Sequence, residues 1–277
     1  VMGALRRERR LADALAPAQS QWRAQWAPPR RKQVLMDVSE LYHRDARTGI
    51  QRVVRSLLNE LFREPPEGYD ICPVYGDKAE GFRYTGKFHP DGVCAREGQP
   101  VQAGPGDVYL CADLNAHLFP EIETHLAAFR LAGARVCFMI HDIIPLRHPQ
   151  LSFPGLPAAF DVWLRALARC ADELICVSHT VAQDVRAWLG EHMPDTPLPL
   201  IGFSHHGADI NSSTPTQGLP ADAEATLATM DAGVSFLMVG TIEPRKGHVQ
   251  TLDAFELLWA DGNDSRLVLV GKLGWDK

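Results

Sequence analysis

The sequence lacks several features that define familiar protein classes. No run of consecutive apolar residues approaches the roughly 18 that a membrane-spanning helix needs, and a run such as 136–140 has the length of a buried strand. There is no Cys-x-x-Cys pair, which argues against a zinc cage. GxGxxG and GxxxxGK[ST] loops are also missing, so the chain has neither the nicotinamide nor the P-loop fingerprint. No fixed repeat period is visible, which excludes collagen, coiled coils and short-repeat folds.

Charge is unevenly distributed along the 277 residues, whose formal net charge is −6. Residues 1–33 carry eight Arg and Lys against Glu8 and Asp13, whereas the rest of the chain is acidic. An acidic body argues against a nucleic-acid-binding protein, which needs a basic face. Residues 1–33 are interpreted as a basic arm or linker; the alternative is a peripheral contact of their Trp and Arg side chains with an anionic membrane surface.

Six cysteines are scattered through the chain, and several lie within apolar runs. Buried free thiols are typical of a reducing compartment, which predicts a cytoplasmic protein; the alternative is one attached peripherally to the inner face of the cell membrane. The basic start is not followed by the apolar segment of a secretory signal.

Apolar residues alternate between runs of strand length and positions at helical spacing. Residues 34–38 predict a buried strand, and the apolar residues of 50–61 predict an amphipathic helix. Further strands are predicted at 69–75, 107–111, 135–140, 173–177 and 200–203, with helices at 119–131, 160–168 and 181–189. Such alternation indicates an α/β fold with a mostly parallel sheet covered on both faces. We therefore predict a Rossmann-like domain over residues 34–210.

A second unit follows a break in this rhythm. Residues 204–232 are rich in Gly, Pro, Ser and Thr, and 211–232 is interpreted as an interdomain linker. A strand, a helix and a strand at 234–239, 248–259 and 266–270 then predict the first βαβ unit of a second Rossmann-like domain, 233–277. One such unit cannot bury both faces of its sheet, so we expect this second domain to be truncated.

Polar segments follow the predicted strands at 37–49, 112–115, 141–148 and 178–179. Parallel sheets bind ligands at the carboxyl ends of their strands, so these segments predict the binding crevice. Three acidic residues at strand starts, Asp107, Asp172 and Glu173, are interpreted as solvated ends. His205 and His206 are interpreted as polar linker residues, because adjacent strand residues point to opposite faces and chelate metals poorly.

The segment VGTIEPRKGH, residues 239–248, has the properties of an anion site. Gly240 lets a ligand approach the backbone after a strand, and the helix that starts near Gly247 offers amide donors and a positive dipole end. Arg245 and Lys246 add two cations, so the segment suits a diphosphate. The alternative is that both cations are ordinary solvated charges at the start of a helix.

Several segments together resemble the family 4 glycosyltransferases, whose GT-B architecture has two Rossmann-like domains facing across a cleft. The donor-domain resemblance lies in GTIEPRKGH, LDAF and LVLVGK followed by GW. The acceptor-domain resemblance lies in DVS, TGIQRVV, IHDIIPL, VS and GAD, so that the match spans about residues 34–277. It implies the transfer of a sugar from a nucleotide-sugar donor with retention at the anomeric carbon, and mannose is a common donor sugar among similar proteins.

The resemblance also implies roles for individual residues. The catalytic residues would be His141, Arg245 and Lys246. The donor diphosphate would be held by Gly49, Gly240, Arg245 and Lys246. Thr48, Asp142 and Ser178 would line the cleft or the acceptor side. The acceptor would be a glycan or a lipid-linked glycan of bacterial surface polysaccharide, and neither a cofactor nor a metal is expected.

Two departures from the family pattern qualify this expectation. Thr241 stands where many members have Arg, and the chain ends before the paired-Glu motif of the donor domain. These residues alone are therefore expected to be inactive. A non-catalytic GT-B-like binding module is the alternative function. For His141 and Asp142, the alternatives are a metal pair, which we disfavour, and a purely structural strand end.

Overall fold

The computed structural model describes residues 31–77, 80–116, 119, 122–208 and 219–274. Most of the predicted basic arm and residues 211–218 lie outside them, so the membrane contact of the arm stays a prediction. The strands are β1 (Lys32–Asp37), β2 (Tyr69–Asp77), β3 (Gly81–Tyr84), β4 (Val108–Cys111), β5 (Arg135–Ile140), β6 (Glu173–Cys176), β7 (Leu200–Phe203), β8 (Ser235–Val239) and β9 (Arg266–Val270). The α-helices are α1 (Ser39–His43), α2 (Gly49–Arg63), α3 (Glu123–Leu131), α4 (Ile144–Arg147), α5 (Leu156–Cys170), α6 (His179–His192), α7 (Ala223–Asp231) and α8 (His248–Ala260).

The first seven strands form one sheet in the order β3-β2-β1-β4-β5-β6-β7. All neighbours are parallel except β2 and β3, which are antiparallel. Val34 in the central strand pairs with Ile71 on one side and Val108 on the other. The parallel arrangement brings the ends of β1, β4, β5 and β6 to one edge of the sheet, where the polar segments follow.

Helices cover both faces of this sheet. Leu35 and Met36 are adjacent in β1 and fully buried, yet they belong to different hydrophobic clusters, since successive strand side chains point to opposite faces. The larger cluster receives side chains of α3, α5 and α6, and the smaller one those of α1 and α2. This arrangement confirms the predicted α/β fold with a Rossmann-like, mostly parallel sheet.

The predicted βαβ unit is also present. Strands β8 and β9 pair in parallel, with Ser235 opposite Arg266, and α8 connects them. The ring of Phe255 in α8 packs edge-on against Phe236 of β8, with centroids 5.3 Å apart. Where the two domains begin and end stays a prediction.

The structure differs from the sequence interpretation at three segments. Helix α7 lies within the predicted linker, and α4 with the following 3₁₀ turn (Pro149–Leu151) occupies a segment for which no helix was predicted. The third helix begins at Glu123 rather than at residue 119. No helix in the described part of the chain combines the length and the apolar character that crossing a membrane requires.

The interpretation of the strand-start carboxylates as solvated ends was wrong for Asp107, which is fully buried. Its Oδ1 accepts a hydrogen bond from the Gln33 backbone N–H at 2.8 Å, and its Oδ2 accepts from Gly104 N–H at 2.9 Å. These amides need acceptors where the strand begins, and the carboxylate supplies them. Asp172 is likewise engaged, since its Oδ2 accepts from Val136 N–H at 2.8 Å. Glu173 is paired with Arg135 at 2.6 Å.

Candidate active site

A cavity of about 230 Å³ lies at the carboxyl edge of the main sheet. Its apolar wall comes largely from α4 and α5 through Ile144, Pro145, Leu156, Phe160 and Trp163. Its polar lining consists of His141, Asp142, Ser152, Glu243 and Arg245. The last two belong to the loop after β8, so the cavity is shared between the two sheets.

His141 directly follows β5 and is held by the neighbouring strand. Its Nε2 lies 2.8 Å from the backbone oxygen of Ala112, which follows β4. A carbonyl oxygen only accepts, so Nε2 carries the proton and Nδ1 of the neutral ring is an acceptor. Burial lowers the pKa of His141, and the neighbouring His206 lowers it further. The imidazole is therefore neutral at pH 7 and offers Nδ1 to a hydrogen-bond donor.

Asp142 shapes the loop that follows His141. Its Oδ1 accepts a hydrogen bond from the Ile144 backbone N–H at 3.0 Å, at the start of α4. The carboxylate lines the cavity while it orients this turn. Asp142 therefore uses Oδ1 to orient the loop, and Oδ2 could accept a hydrogen bond from a ligand hydroxyl.

Arg245 and Lys246 lie in the 3₁₀ turn Pro244–Lys246, between β8 and α8. Arg245 lines the cavity, and its Nε lies 2.6 Å from Oε1 of Glu243. Lys246 is exposed and is not among the cavity-lining residues. A diphosphate bound here would therefore compete with Glu243 for Arg245, while the Lys246 ammonium is free to turn towards it.

The glycines predicted to approach a diphosphate border open space. A Cβ at Gly240, which follows β8, or at Gly49, at the start of α2, would meet no atom within 4 Å. Gly49 is the first residue of a 15-residue helix, and the next residue, Ile50, lines the cavity. The amino end of α2, with its positive dipole end, is thus close to the cavity.

Thr48 and Ser178 both cap helices. The Thr48 hydroxyl accepts from Gln51 N–H at 3.2 Å, while the Gln51 side-chain oxygen accepts from Thr48 N–H at 3.3 Å, a capping box that starts α2. The Ser178 hydroxyl accepts from Val181 N–H at 3.2 Å and starts α6. Neither residue is among the cavity-lining residues, so the structure gives both a local structural task.

A direct contact joins the second sheet to the first near α2. The Nζ of Lys272, just beyond β9, lies 3.5 Å from the backbone oxygen of Ala46. Ala46 belongs to the loop that precedes Thr48 and Gly49. The contact places the carboxyl end of β9 beside the amino end of α2.

Sequence reasoning missed a cluster of carboxyl groups beneath this loop. Asp37 is buried at the end of β1, where its Oδ2 accepts from the Tyr109 hydroxyl at 2.6 Å. Burial, together with the nearby carboxylates, raises the pKa of Glu40 to about 7, and burial raises that of Asp113 to about 6. The signal was available, because these residues lie in the segments that follow β1 and β4.

His206 was also missed. Its ring centroid lies 5.6 Å from that of His141, although the sequence interpretation assigned it to a polar linker. The contact joins the segments that follow β5 and β7, and no local pattern in the sequence reveals it. Within the described residues, no group of three or more His, Cys, Asp or Glu side chains is placed to hold a metal ion.

Comparison with known proteins shows that the chain is similar in sequence to curated proteins of one description. No family profile matches it. Over 251 residues, or 88% of the chain, it is 47% identical to a serotype-specific mannosyltransferase WbdA of Escherichia coli. A second Escherichia coli protein of the same description is 46% identical over 250 residues. The chain resembles one part of these proteins. It spans about 31% of their length.

Proposed function

We propose that the chain is part of a mannosyltransferase that uses a nucleotide-activated sugar and has the GT-B architecture of family 4 glycosyltransferases. The observation that carries the proposal is the 47% identity over 88% of the chain, which is long enough to include residues of both sheets. The Rossmann-like sheet and the cavity shared with the loop after β8 support it. The main sheet would serve the acceptor, and the β8–β9 unit would serve the donor.

The donor diphosphate would lie between the amino end of α2 and the turn that carries Arg245 and Lys246. Open space at Gly49 and Gly240 lets phosphate oxygens approach both backbones. The guanidinium and the ammonium would then stabilise the negative charge that develops on the leaving nucleoside diphosphate. Such preorganised electrostatic stabilisation is usually the largest contribution to catalysis.

His141 would contact the transferred sugar. The Ala112 carbonyl fixes its proton on Nε2, so Nδ1 accepts a hydrogen bond from a sugar hydroxyl. Asp142, which also lines the cavity, would accept a hydrogen bond from a second sugar hydroxyl. In this scheme the imidazole orients the sugar and remains neutral throughout.

The acceptor would be a glycan or lipid-linked glycan of a bacterial surface polysaccharide. All six cysteines are free, and five of them are buried, which supports a reducing compartment. We therefore place the reaction in the cytoplasm, where residues 1–33 would contact the membrane surface.

The proposal is tested by the transfer of mannose from guanosine or uridine diphosphate-mannose to a mannose-containing acceptor by the full-length protein. Lys246→Ala should lower kcat and raise KM for the donor, since the ammonium would contact the diphosphate before and during bond cleavage. Lys32→Ala removes an equal charge at the start of β1, the opposite end of the strands, and should leave both constants unchanged. Wild-type protein that transfers no mannose would favour the non-catalytic binding module.

A further inference from the structure

His206 and His141 are in contact although a strand lies between the two strands that they follow. His141 follows β5 and His206 follows β7, and β6 lies between these two strands. Neighbouring strands are about 4.8 Å apart, so two intervals would separate the ends of β5 and β7 by about 10 Å. The ring centroids are only 5.6 Å apart, with planes inclined by 38°. The two imidazoles therefore approach each other over the carboxyl end of β6, the strand that lies between β5 and β7.

His141 is held on its other side by β4. The Ala112 carbonyl binds Nε2 at 2.8 Å, which leaves Nδ1 as the acceptor of the neutral ring. Among the residues that the structure describes, none makes a hydrogen bond to Nδ1. One hydrogen bond leaves the ring free to tilt about that bond, so a second contact is needed to fix its plane.

We propose that His206 is a positioning residue for His141: its ring closes the β7 side of the His141 imidazole and holds that imidazole with Nε2 on the Ala112 carbonyl and Nδ1 free for a ligand. The use of this arrangement in catalysis rests on the proposed function. The arrangement itself rests on the ring contact and on the hydrogen bond. His206 is exposed and makes its contact from outside the cavity lining.

The groups around His141 act on its pKa in both directions. Burial lowers the pKa of both imidazoles, and a protonated His206 opposes the protonation of His141. Asp142, the neighbour of His141 in the chain, acts in the opposite sense. Glu243 and Arg245 face the cavity from the second sheet as an ion pair, which limits their net effect. His206 thus adds to the conditions that keep His141 neutral.

The test uses the 277-residue chain with ¹⁵N-labelled histidine and needs no donor. Long-range ¹H–¹⁵N spectra report the tautomer of each imidazole, and a pH titration reports its pKa. His141→Gln identifies the His141 signals. His206→Ala removes the ring, and His206→Phe keeps a flat ring that cannot be protonated. His205→Ala is the matched control, because the His205 ring contacts Phe203, with centroids 5.5 Å apart, and makes no ring contact with His141.

In the wild type we expect a single Nε2–H tautomer of His141 and a pKa below the ordinary value of 6.5. His206→Ala should populate the Nδ1–H tautomer and move the pKa up towards 6.5, whereas His206→Phe should keep the tautomer and His205→Ala should change neither. The proposal is overturned if His206→Ala matches the wild type, if His206→Phe loses the tautomer as His206→Ala does, or if His205→Ala has an equal effect. A failure of mannose transfer would leave this result intact.

Discussion

Glu243 holds Arg245 in place, with Oε1 of the carboxylate 2.6 Å from Nε of the guanidinium, and both side chains line the cavity. The carboxylate is nearly buried, its side chain 8% exposed, while that of Arg245 is 34% exposed. When no anion is bound, the negative charge of Glu243 compensates the positive charge of the Arg245 guanidinium. A bound diphosphate must share Arg245 with Glu243 or displace it.

Replacing Glu243 with Gln should therefore strengthen the binding of a nucleoside diphosphate. Loss of the competing charge frees Arg245, and the Kd should fall about two- to fivefold, the range expected for an ion pair that is only partly exposed. Isothermal titration with guanosine and uridine diphosphate measures the change. Glu224→Gln, an exposed position in α7, alters the net charge equally and should leave Kd unchanged. An unchanged or higher Kd for Glu243→Gln would show that Arg245 does not bind the diphosphate.

Gly49→Ala should weaken the binding of a nucleoside diphosphate without lowering the stability of the protein. An added Cβ meets no atom within 4 Å, and Ala favours the helix, so the free energy of unfolding should stay the same or rise by up to about 1 kcal/mol. If phosphate oxygens approach this backbone, the methyl group should weaken nucleoside diphosphate binding about tenfold, or about 1.4 kcal/mol. Equal affinity of variant and wild type would remove Gly49 from the diphosphate site.

A contrasting glycine provides the control for that experiment. A Cβ at Gly271 would lie 1.8 Å from the backbone oxygen of Gly240, so Gly271→Ala must displace the end of β8 or β9. Urea unfolding should show a clear loss of stability for this variant alone.

The carboxyl cluster predicts that stability depends on pH. Burial and nearby carboxylates raise the pKa of Glu40 to about 7, above its value of 4.5 in an unfolded chain. A group whose pKa is raised by folding stabilises the protein fully below its unfolded pKa, and this contribution is lost as pH rises to the folded pKa. Stability should fall between about pH 4.5 and pH 7, by about 1 kcal/mol from this half-exposed group.

Urea unfolding at several pH values measures this slope. Glu40→Gln cannot ionise and should flatten the profile. Glu60→Gln should retain the wild-type slope, because Glu60 is an exposed partner of Arg63 on the surface of α2. A steep slope that survives in Glu40→Gln would assign the effect to other groups.

Tyr109→Phe should destabilise the main sheet. The Tyr109 hydroxyl donates to Asp37 at 2.6 Å, and both residues are buried, so its removal leaves a buried carboxylate with one partner fewer. The expected loss is about 1–3 kcal/mol. Thermal and urea unfolding measure it. The matched control is Tyr69→Phe, in which the ring under Lys32 is kept and the stability should be unchanged.

The sequence was sufficient for the elements whose pattern is local. The apolar run at 34–38 and the helical spacing at 50–61 correspond to β1 (Lys32–Asp37) and α2 (Gly49–Arg63). Strand direction also predicts that His141 and Asp142 lie at the carboxyl edge of the sheet, and both line the cavity there. These predictions succeed because period and strand direction depend on the chain alone.

The predictions that failed depend on contacts between distant residues. Asp107 is buried because its carboxylate satisfies the Gln33 amide, 74 residues away in the chain. His206 contacts His141 because β5 and β7 lie in the same sheet with one strand between them, an arrangement that neither composition nor period encodes.

The register of β1 is constrained on both faces of the sheet, because the adjacent residues Leu35 and Met36 belong to different hydrophobic clusters. A slip of β1 by one residue would exchange the two side chains and would part Asp37 from Tyr109. An insertion or deletion of one residue within this strand would consequently damage both clusters and the carboxyl group together.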